Sequence, residues 1–374
     1  CLFVCFCIAY PFATFHRLFL HAKSPIAQHV FFILAGSFIG YFNYGGSIIH
    51  AYICILVNYL VLLVSSGTLF SVIFSFIFQM CYLMTEYYMT ETNTYDIKWT
   101  IPHCVLTLRL VGQAFDVLDG TRNNSELSKD QQAQALTKVP SLLECAGHVF
   151  YPGSFLIGPQ YSLKRYLDFV SGKFSEDGKP PPSVGAGINR LLIGLGYVGI
   201  YQVGNIFINN DYLIGPSFAA LPLWQKFVVT GLAGRIMLYK YVSVWIVAEG
   251  SCTLAGISYN GKEPNGKHKW NGCENIHVPT FEKAYKFGHI IASFNKCTNA
   301  WVAHNVYKRL KFLNNRHISQ FAALLFLAVW HGLHTGYYMC FFLEFIVMNV
   351  EKDFPSPFPK HFQEAFVSVH QRIF

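Results

Sequence analysis

Charged residues are scarce in this 374-residue chain, and they are confined to a few short stretches. Asp, Glu, Lys and Arg make up only 13% of the residues, whereas a typical soluble domain carries about a quarter. Hydrophobic residues reach 53%, and the mean hydropathy is +0.33. No polar stretch is long enough to bury a core of its own. The composition therefore excludes an ordinary soluble protein and predicts one membrane-embedded domain over residues 1–374.

Three further features narrow the function. The eleven cysteines form no Cys-x-x-Cys pair, so we expect free thiols rather than a disulfide framework. The net charge of +8 is not gathered in a basic, aromatic-rich domain, so we expect anionic lipid headgroups or a phosphorylated ligand, and no nucleic acid. The chain starts at Cys1 inside an apolar run and stops after a polar segment, so we expect it to be trimmed at both ends.

The apolar residues fall in runs that can cross a bilayer, which takes about 20 helical residues. The clear runs are 48–64, 68–84, 188–208, 221–247 and 319–350, and the weaker ones are 2–15, 30–42, 102–118 and 148–163. We predict an all-α, polytopic transmembrane bundle with about eight to ten crossings or re-entrant segments.

The run FLAVWHGLHTGYYMCFFLEF, at 326–345, holds two histidines at membrane depth. On a continuous helix, His331 and His334 lie about 60° apart on one face, and Gly332 and Gly336 permit close approach of another helix. A polar side chain at this depth needs a partner or a cavity, so one histidine is either a catalyst or a hydrogen-bonded core residue. A zinc site needs three or four ligands, and we expect no metal here.

A second informative run is SFNKCTNAWVAHNVYKRLKF, at 293–312. The spacing predicts a helix with Asn295, Thr298 and Asn299 on one face, where the amides either bridge to neighbouring helices or serve a reaction. At its end, Lys308 and Arg309 begin a basic cluster that continues with Lys311 and Arg316. This cluster is either a signal that orients this edge toward the cytosol or a dock for a polyanionic ligand.

These stretches resemble the membrane-bound O-acyltransferase (MBOAT) family. WHGLHTGYY followed by FFLEF is similar to the family's W-H-G signature, and FNKCTNAW is similar to its asparagine-containing helix. FYPGSFLIGPQYSLKRYLDF is similar to the family's Pro and Gly-Pro segment, and LRLVGQAFDVLDG, EGSCTLAGISYNG and KHKWNGCENIHVPTFE are similar to its lysophospholipid acyltransferase branch. Two positions depart from the branch: Asn271 follows Trp270 where an Asp is usual, and Lys296–Cys297 replaces smaller or polar residues.

The resemblance implies a fold with an internal catalytic tunnel and a reaction that moves an acyl group from acyl-CoA to a lysophospholipid. Acyl-CoA is then a co-substrate, and no bound cofactor is implied. The resemblance also implies a multi-pass protein of the endoplasmic reticulum membrane, and a homodimer is compatible with it. The site residues that it implies are a catalytic base at His331, a catalytic amide at Asn295, tunnel walls at Trp301, Trp330 and Tyr337, and a dock for the CoA phosphates at Lys308 and Arg309.

Several alternatives stay open at this point. His334 is a rival base, and Cys297 or Ser293 offers a covalent acyl-enzyme in place of direct transfer. Arg109 and Asp116, seven residues apart in an apolar segment, are interpreted as a structural ion pair. The acceptor can also be a sterol, a diacylglycerol or a protein. A polytopic transporter explains the apolar runs but not the W-H-G and asparagine motifs together.

Overall fold

A computed structural model describes residues 2–91, 98–176 and 178–353 of the chain. Helices dominate these residues, in line with the sequence prediction. The α-helices are α1 (Leu2–Phe15), α2 (Pro25–Tyr44), α3 (Ile49–Val64), α4 (Leu69–Thr90), α5 (Thr100–Asp119), α6 (Lys129–Gln134), α7 (Leu142–Val149), α8 (Leu163–Val170), α9 (Val184–Phe207), α10 (Asn210–Ile214), α11 (Pro216–Ala219), α12 (Leu223–Ala255), α13 (Val278–Glu282), α14 (Phe287–Ser293), α15 (Lys296–Val302), α16 (Arg316–His331) and α17 (Thr335–Asp353). Short π-helical turns lie at His16–Leu20 and Ala303–Tyr307, and 3₁₀ turns lie at Gly45–Ile48, Asn124–Glu126 and Lys308–Leu313.

The helical stretches that are long and apolar enough to cross a membrane match the predicted runs. Within the described residues there are five of them, at Pro25–Val64, Leu69–Thr90, Thr100–Asp119, Val184–Ile214 and Leu223–Ala255. The predicted runs at 30–42, 48–64, 68–84, 102–118, 188–208 and 221–247 are therefore confirmed as helical. The protein is a multi-pass membrane protein, and the count of eight to ten crossings or re-entrant segments stays a prediction.

The weaker run at 148–163 does not form a helical crossing, so that interpretation of it is wrong. Helix α7 ends at Val149, and the chain then runs as irregular backbone until α8 begins at Leu163. Irregular backbone at membrane depth is tolerated only when other parts of the protein satisfy its polar groups. Phe150, Tyr151 and Phe155 of this segment are buried, so it is enclosed by protein rather than by lipid.

The guanidinium of Arg109, on α5, holds this irregular segment in place. Its Nη1 donates to the carbonyl oxygens of His148 and Val149, each at 2.8 Å. Its Nη2 donates to the carbonyl oxygen of Ser154 at 3.0 Å, to the Ser154 hydroxyl at 2.6 Å and to the Pro159 carbonyl oxygen at 3.4 Å. Arg109 is fully buried, and these acceptors replace the water that its charge would otherwise require. The predicted pairing of Arg109 with Asp116 is wrong, because the guanidinium is engaged by backbone carbonyls.

Helices α9 and α12 form the most extensive helix pair of the described chain. A Cβ atom at Gly187 would stand 2.8 Å from the Leu254 Cβ and 2.9 Å from the Leu254 Cα. A Cβ at Gly194, two turns later, would stand 2.6 Å from a Val247 methyl group. Small residues at this spacing let the two backbones approach closely, which is a common way for membrane helices to associate.

Candidate active site

The candidate base, His331, is the last residue of α16. The chain leaves the helix at Gly332, whose φ of 138° and ψ of −172° suit a residue without a Cβ, and α17 begins at Thr335. The prediction of one continuous helix over 319–350 is therefore wrong, and so is the interpretation of Gly332 and Gly336 as a helix-packing pair. The break places the imidazole at a helix end, where it is half-buried.

A hydrogen bond within α16 fixes the orientation and the tautomer of this imidazole. Nδ1 of His331 lies 2.7 Å from the carbonyl oxygen of Leu327, one turn earlier. A carbonyl oxygen only accepts, so Nδ1 carries the proton, and Nε2 of the neutral ring keeps its lone pair. The geometry assigns Nε2 as the nitrogen that can take a proton from another molecule.

Aromatic rings surround His331. The ring centroids of Trp330, Phe341 and Tyr337 lie 4.6, 5.0 and 5.6 Å from that of the imidazole. Trp330 is itself held to α5 by a hydrogen bond of 3.0 Å from its Nε1 to the carbonyl oxygen of Cys104. The structure thus places two predicted wall residues, Trp330 and Tyr337, directly against the candidate base. Their role in binding substrate stays a prediction.

The rival histidine, His334, has a different environment. It lies in the short connection between α16 and α17, so it does not share a helical face with His331. Its side chain is 60% exposed, and its Nδ1 lies 3.9 Å from the carboxylate of Glu91. This exposed surface position offers no enclosed chamber for a reaction, so the geometry favours His331 as the base.

The candidate amide, Asn295, lies between α14 and α15 rather than inside one helix. Its backbone is left-handed, with φ 50° and ψ 41°, and it stands at the N-cap position of α15. The prediction that Asn295 and Asn299 share a helical face is therefore wrong. The Asn299 side-chain amide donates hydrogen bonds to the carbonyl oxygens of Ile291 and Phe294, each at 3.0 Å. The Asn295 carboxamide makes no capping bond and has no side-chain partner among the described residues.

The third predicted wall residue, Trp301, lies on α15 against α5. Its ring stacks on Phe326 at 5.8 Å, and its Nε1 lies 2.9 Å from the place where a Cβ of Gly112 would stand. Trp301 faces a polar cavity of about 90 Å³ between α5, α15 and the irregular segment that follows α7. Trp301 shares a buried apolar cluster with Trp330, but it is not among the rings that lie directly against the imidazole of His331.

The polar lining of this cavity was missed by the sequence reasoning. The atoms Gln113 Oε1, Gln160 Oε1, Asn305 Oδ1 and Trp301 Nε1 are buried without a hydrogen-bond partner among the described residues. The buried carboxylate of Asp116 and the thiol of Cys297 also line it. The available signal was the presence of Gln113 and Asp116 inside the apolar run 102–118, because polar groups at membrane depth indicate a functional cavity.

A chain of hydrogen bonds turns the Gln113 amide oxygen toward the cavity. His148 Nε2 donates to the carbonyl oxygen of Tyr161 at 3.0 Å, so His148 Nδ1 must accept. Gln113 Nε2 donates to that Nδ1 at 3.1 Å, which leaves the amide oxygen as the free end. The acceptor is therefore fixed by its neighbours.

An outer basin of about 310 Å³ adjoins the cavity. Gln134, Tyr161 and Ser162 line both spaces, and the basin adds the charged side chains of Lys164 and Arg165. Together the two spaces lead from a charged surface to Cys297, two residues from Asn295. His331 is not among the residues that line either space, so the internal tunnel that would join them to the base stays a prediction.

The two cations predicted to bind CoA phosphates are already paired with carboxylates. Arg309 holds Asp119 through two hydrogen bonds, at 2.7 and 2.5 Å, and Lys308 contacts Asp130. Asp119 is fully buried at the end of α5, so the Arg309 pair fastens α5 to the 3₁₀ turn after α15. Phosphate binding by Lys308 or Arg309 stays a prediction, and it requires these pairs to open.

The covalent alternatives find little support in this geometry. The Ser293 hydroxyl is buried and donates to the carbonyl oxygen of His289 at 2.6 Å. Cys297 does line the cavity, but its thiol lies against the carbonyl oxygen of Glu274 at 3.5 Å rather than against a histidine that could deprotonate it. Within the described parts of the chain, no three His, Cys, Asp or Glu side chains are grouped as a metal site requires.

Comparison with known proteins agrees with the motifs. The family described as "MBOAT, membrane-bound O-acyltransferase family" matches residues 84–360. The chain is 45% identical over 346 residues to lysophospholipid acyltransferase 5 of Homo sapiens, covering 92% of this chain and 71% of the relative. It is 42% identical over 345 residues to the protein of the same name from Drosophila melanogaster, covering 92% and 69%. It is 28% identical over 365 residues to a lysophospholipid acyltransferase of Schizosaccharomyces pombe, covering 94% and 71%. This chain belongs to the membrane-bound O-acyltransferase family.

Proposed function

We propose that this protein transfers the acyl group of acyl-CoA to the free hydroxyl of a lysophospholipid. The names of its relatives support the substrate class, since those that are 42–45% identical are all called lysophospholipid acyltransferase 5. The observation that carries the chemistry is the bond from His331 to Leu327, which leaves Nε2 unprotonated at a helix end. Lysophosphatidylcholine, lysophosphatidylethanolamine and lysophosphatidylserine are the proposed acceptors, and the endoplasmic reticulum membrane is the proposed location.

The reaction starts with proton transfer, because an alcohol is a poor nucleophile near neutral pH. Nε2 of His331 takes the proton of the acceptor hydroxyl while the hydroxyl oxygen attacks the thioester carbonyl carbon. A tetrahedral intermediate forms, and its carbon–sulfur bond then breaks. The CoA thiolate leaves and receives the proton from the imidazolium, so the products are the phospholipid and CoA thiol. Direct transfer needs no acyl-enzyme.

Asn295 supplies the group that faces the developing negative charge. The carboxamide has no capping bond, so its N–H groups are available to donate to the oxyanion of the tetrahedral intermediate. Loss of one such donor typically lowers the rate by about 10²–10³. An Asn295→Ala protein should therefore lose turnover and keep its affinity for both substrates.

Acyl-CoA is proposed to approach through the outer basin and the polar cavity. The lining offers N–H donors, among them Trp301 Nε1, and the amide oxygens of Gln113, Gln160 and Asn305 as acceptors, which suits the two amide groups of the pantetheine arm. The phosphates would then meet Lys164 and Arg165 in the outer basin, or Lys308 and Arg309. Each of these cations has to exchange a present partner for phosphate: Lys164 pairs with Asp168, Arg165 bonds to backbone carbonyl oxygens, and Lys308 and Arg309 pair with carboxylates. The polar end of the ligand would enter by this route, and the acyl chain would lie near the aromatic group around His331.

Purified protein in lipid nanodiscs provides the test. Labelled arachidonoyl-CoA is supplied with a panel of lysophospholipids, cholesterol and diacylglycerol, and CoA thiol release and labelled lipid are measured. We expect labelled phospholipid from the wild type and His334→Ala proteins. His331→Ala should fold, bind acyl-CoA and lose transfer by about 10²–10⁴, the range of general base catalysis.

The panel separates the competing functions. Transfer only to cholesterol or diacylglycerol would replace the lysophospholipid assignment within the same family. An active His331→Ala protein would refute the mechanism. Light scattering of the protein in detergent tests whether it forms a homodimer, which the family resemblance allows.

A further inference from the structure

The backbone of Asn295 is in a conformation that needs support. A φ of 50° is uncommon for a residue with a Cβ atom, although asparagine tolerates it better than most residues. Such a backbone persists only where the surrounding structure over-determines it. The supporting contacts therefore decide where the carboxamide of Asn295 is held.

One short segment, residues 275–277, holds the chain on both sides of Asn295. Before it, the backbone N–H of His277 donates to the carbonyl oxygen of Ser293 at 2.9 Å. After it, the N–H of Lys296 donates to the carbonyl oxygen of Asn275 at 3.0 Å, and the N–H of Cys297 donates to the Asn275 side-chain oxygen at 3.1 Å. Asn275 thus provides the cap for α15 that the side chain of Asn295 does not provide.

Asn275 is in turn fixed by the long helix pair. It is 2% exposed, and its own N–H donates to Glu249 Oε2 of α12 at 3.2 Å. The other oxygen of Glu249 lies 2.6 Å from Arg190 Nη2 of α9. Helices α9 and α12 are the pair whose backbones meet closely through Gly187 and Gly194, so Asn275 is anchored to a closely packed pair of long helices.

The charges around this segment are balanced. Arg190 also approaches Glu274 Oε1 at 3.4 Å, and the second oxygen of Glu274 contacts Lys296. Two cations, Arg190 and Lys296, thus face two carboxylates, Glu249 and Glu274. A removed partner would leave a poorly solvated charge, which is costly. Lys296, a position where the chain departs from its branch, here completes the ion network beside Asn295.

From these contacts we infer that Asn275 is a positioning residue for acyl transfer, which it serves by capping α15 and thereby placing the Asn295 carboxamide. This inference rests on the proposed function, in which Asn295 stabilises the oxyanion. Asn275 touches no substrate in this role. It acts through the backbone N–H of Cys297, and Glu249 acts through Asn275.

The test compares Asn275→Ala with Asn271→Ala in the nanodisc assay. Asn271 is the matched control, because it is exposed and its side chain bonds only to the side chain of Asn260 at 2.9 Å among the described residues. We expect Asn275→Ala to lower kcat about 10- to 100-fold, since a displacement of about 1 Å can cost 10²-fold in rate. The KM values for arachidonoyl-CoA and lysophosphatidylcholine should stay within about twofold of wild type, because the change does not remove an interaction that binds either substrate in the ground state. Asn271→Ala should match wild type.

A double-mutant cycle separates positioning from a general structural role. If Asn275 acts only through Asn295, the protein with both changes to Ala has the kcat of Asn295→Ala alone. Losses that multiply, or an unchanged kcat in Asn275→Ala, would overturn the inference. Asn275→Ser serves if Asn275→Ala does not fold, since a hydroxyl can still accept from the Cys297 N–H, and it should recover part of the kcat and show the same non-additivity. A fully active Asn295→Ala protein would instead refute the proposed role of Asn295, which makes the two failures distinguishable.

Discussion

Replacing Arg109 with lysine should destabilise the protein strongly, although the charge is kept. Two nitrogens of the guanidinium donate five hydrogen bonds. One goes to the Ser154 hydroxyl, and the others go to the carbonyl oxygens of four residues, His148, Val149, Ser154 and Pro159. A lysine ammonium is a single point charge and can replace only one of these nitrogens. An ammonium in the place of Nη2 leaves the carbonyl oxygens of His148 and Val149 without the donor that Nη1 supplies, whereas the Ser154 carbonyl oxygen keeps the N–H of Gly158 at 3.0 Å.

The size of the effect follows from these lost bonds. A buried polar group left unsatisfied costs about 1–3 kcal/mol, so two of them cost about 2–6 kcal/mol. The unfolding entropy is about 2.1 cal/mol/K per residue, so the total unfolding entropy of a chain of 374 residues is about 0.8 kcal/mol/K. The apparent Tm should therefore fall by at least ~3 °C.

Intrinsic tryptophan fluorescence in detergent measures this Tm. Arg122→Lys is the control, because Arg122 is exposed in the loop after α5, and its Tm should not change. The decrease in Tm should be greater for Arg109→Lys than for Lys173→Arg, because the Lys173 ammonium is exposed where it pairs with Asp168 at 3.0 Å. An Arg109→Lys protein that melts within ~1 °C of wild type would refute the view that the guanidinium fork holds the segment after α7.

Three further outcomes are expected. Cys297→Ala should keep wild-type turnover. If the wild-type protein instead forms an acyl-thioester that can be trapped, and Cys297→Ala loses both this species and activity, the reaction follows a covalent route. Asn305→Leu removes an amide that lines the polar cavity. The loss of one hydrogen bond to acyl-CoA, about 1 kcal/mol, should raise the KM for acyl-CoA about fivefold and leave the KM for lysophospholipid unchanged. The hydrogen bond from the Tyr259 hydroxyl, followed by Lys262, lowers the pKa of Glu176 in the folded protein. The stability that Tyr259→Phe removes should therefore be fully present above the ordinary pKa of a glutamate and be lost as the pH falls through the lowered pKa of Glu176. An equal Tm difference at all pH values would contradict this.

The sequence predicted the long helices because their signal is local. An apolar run of about 20 residues has few alternatives in a membrane, and the runs at 48–64, 68–84 and 102–118 all form helices. The motif residues were predicted by resemblance, and the structure places His331, Trp330 and Tyr337 together.

The helix breaks could not be predicted in the same way, because their causes are distant in sequence. The break at Asn295 contains no Pro or Gly, and it depends on Asn275 twenty residues earlier. The irregular backbone after α7 depends on Arg109, about forty residues earlier, and its apolar side chains alone suggest a crossing. The break at Gly332 did carry a local signal, but a glycine among apolar residues is equally typical of helix packing.

The polar cavity shows a different limit of sequence reasoning. Gln113 and Asp116 are visible as polar residues in an apolar run, but their meeting with Trp301 and Asn305 depends on how α5 and α15 pack. Gly112 permits that packing, since a side chain there would collide with the indole of Trp301. Spacing along one segment cannot reveal such a pairing between two segments.

The interruption at Gly332 brings two helices against the same imidazole. The ring of His331 is bonded to the carbonyl oxygen of Leu327 on α16, whereas Tyr337 and Phe341 of α17 pack on it at 5.6 and 5.0 Å. A shift of α17 relative to α16 would therefore repack the rings around the imidazole without breaking its bond to Leu327. Bulky substitutions on the α16-facing side of α17 should accordingly alter turnover, even though they lie outside the W-H-G motif.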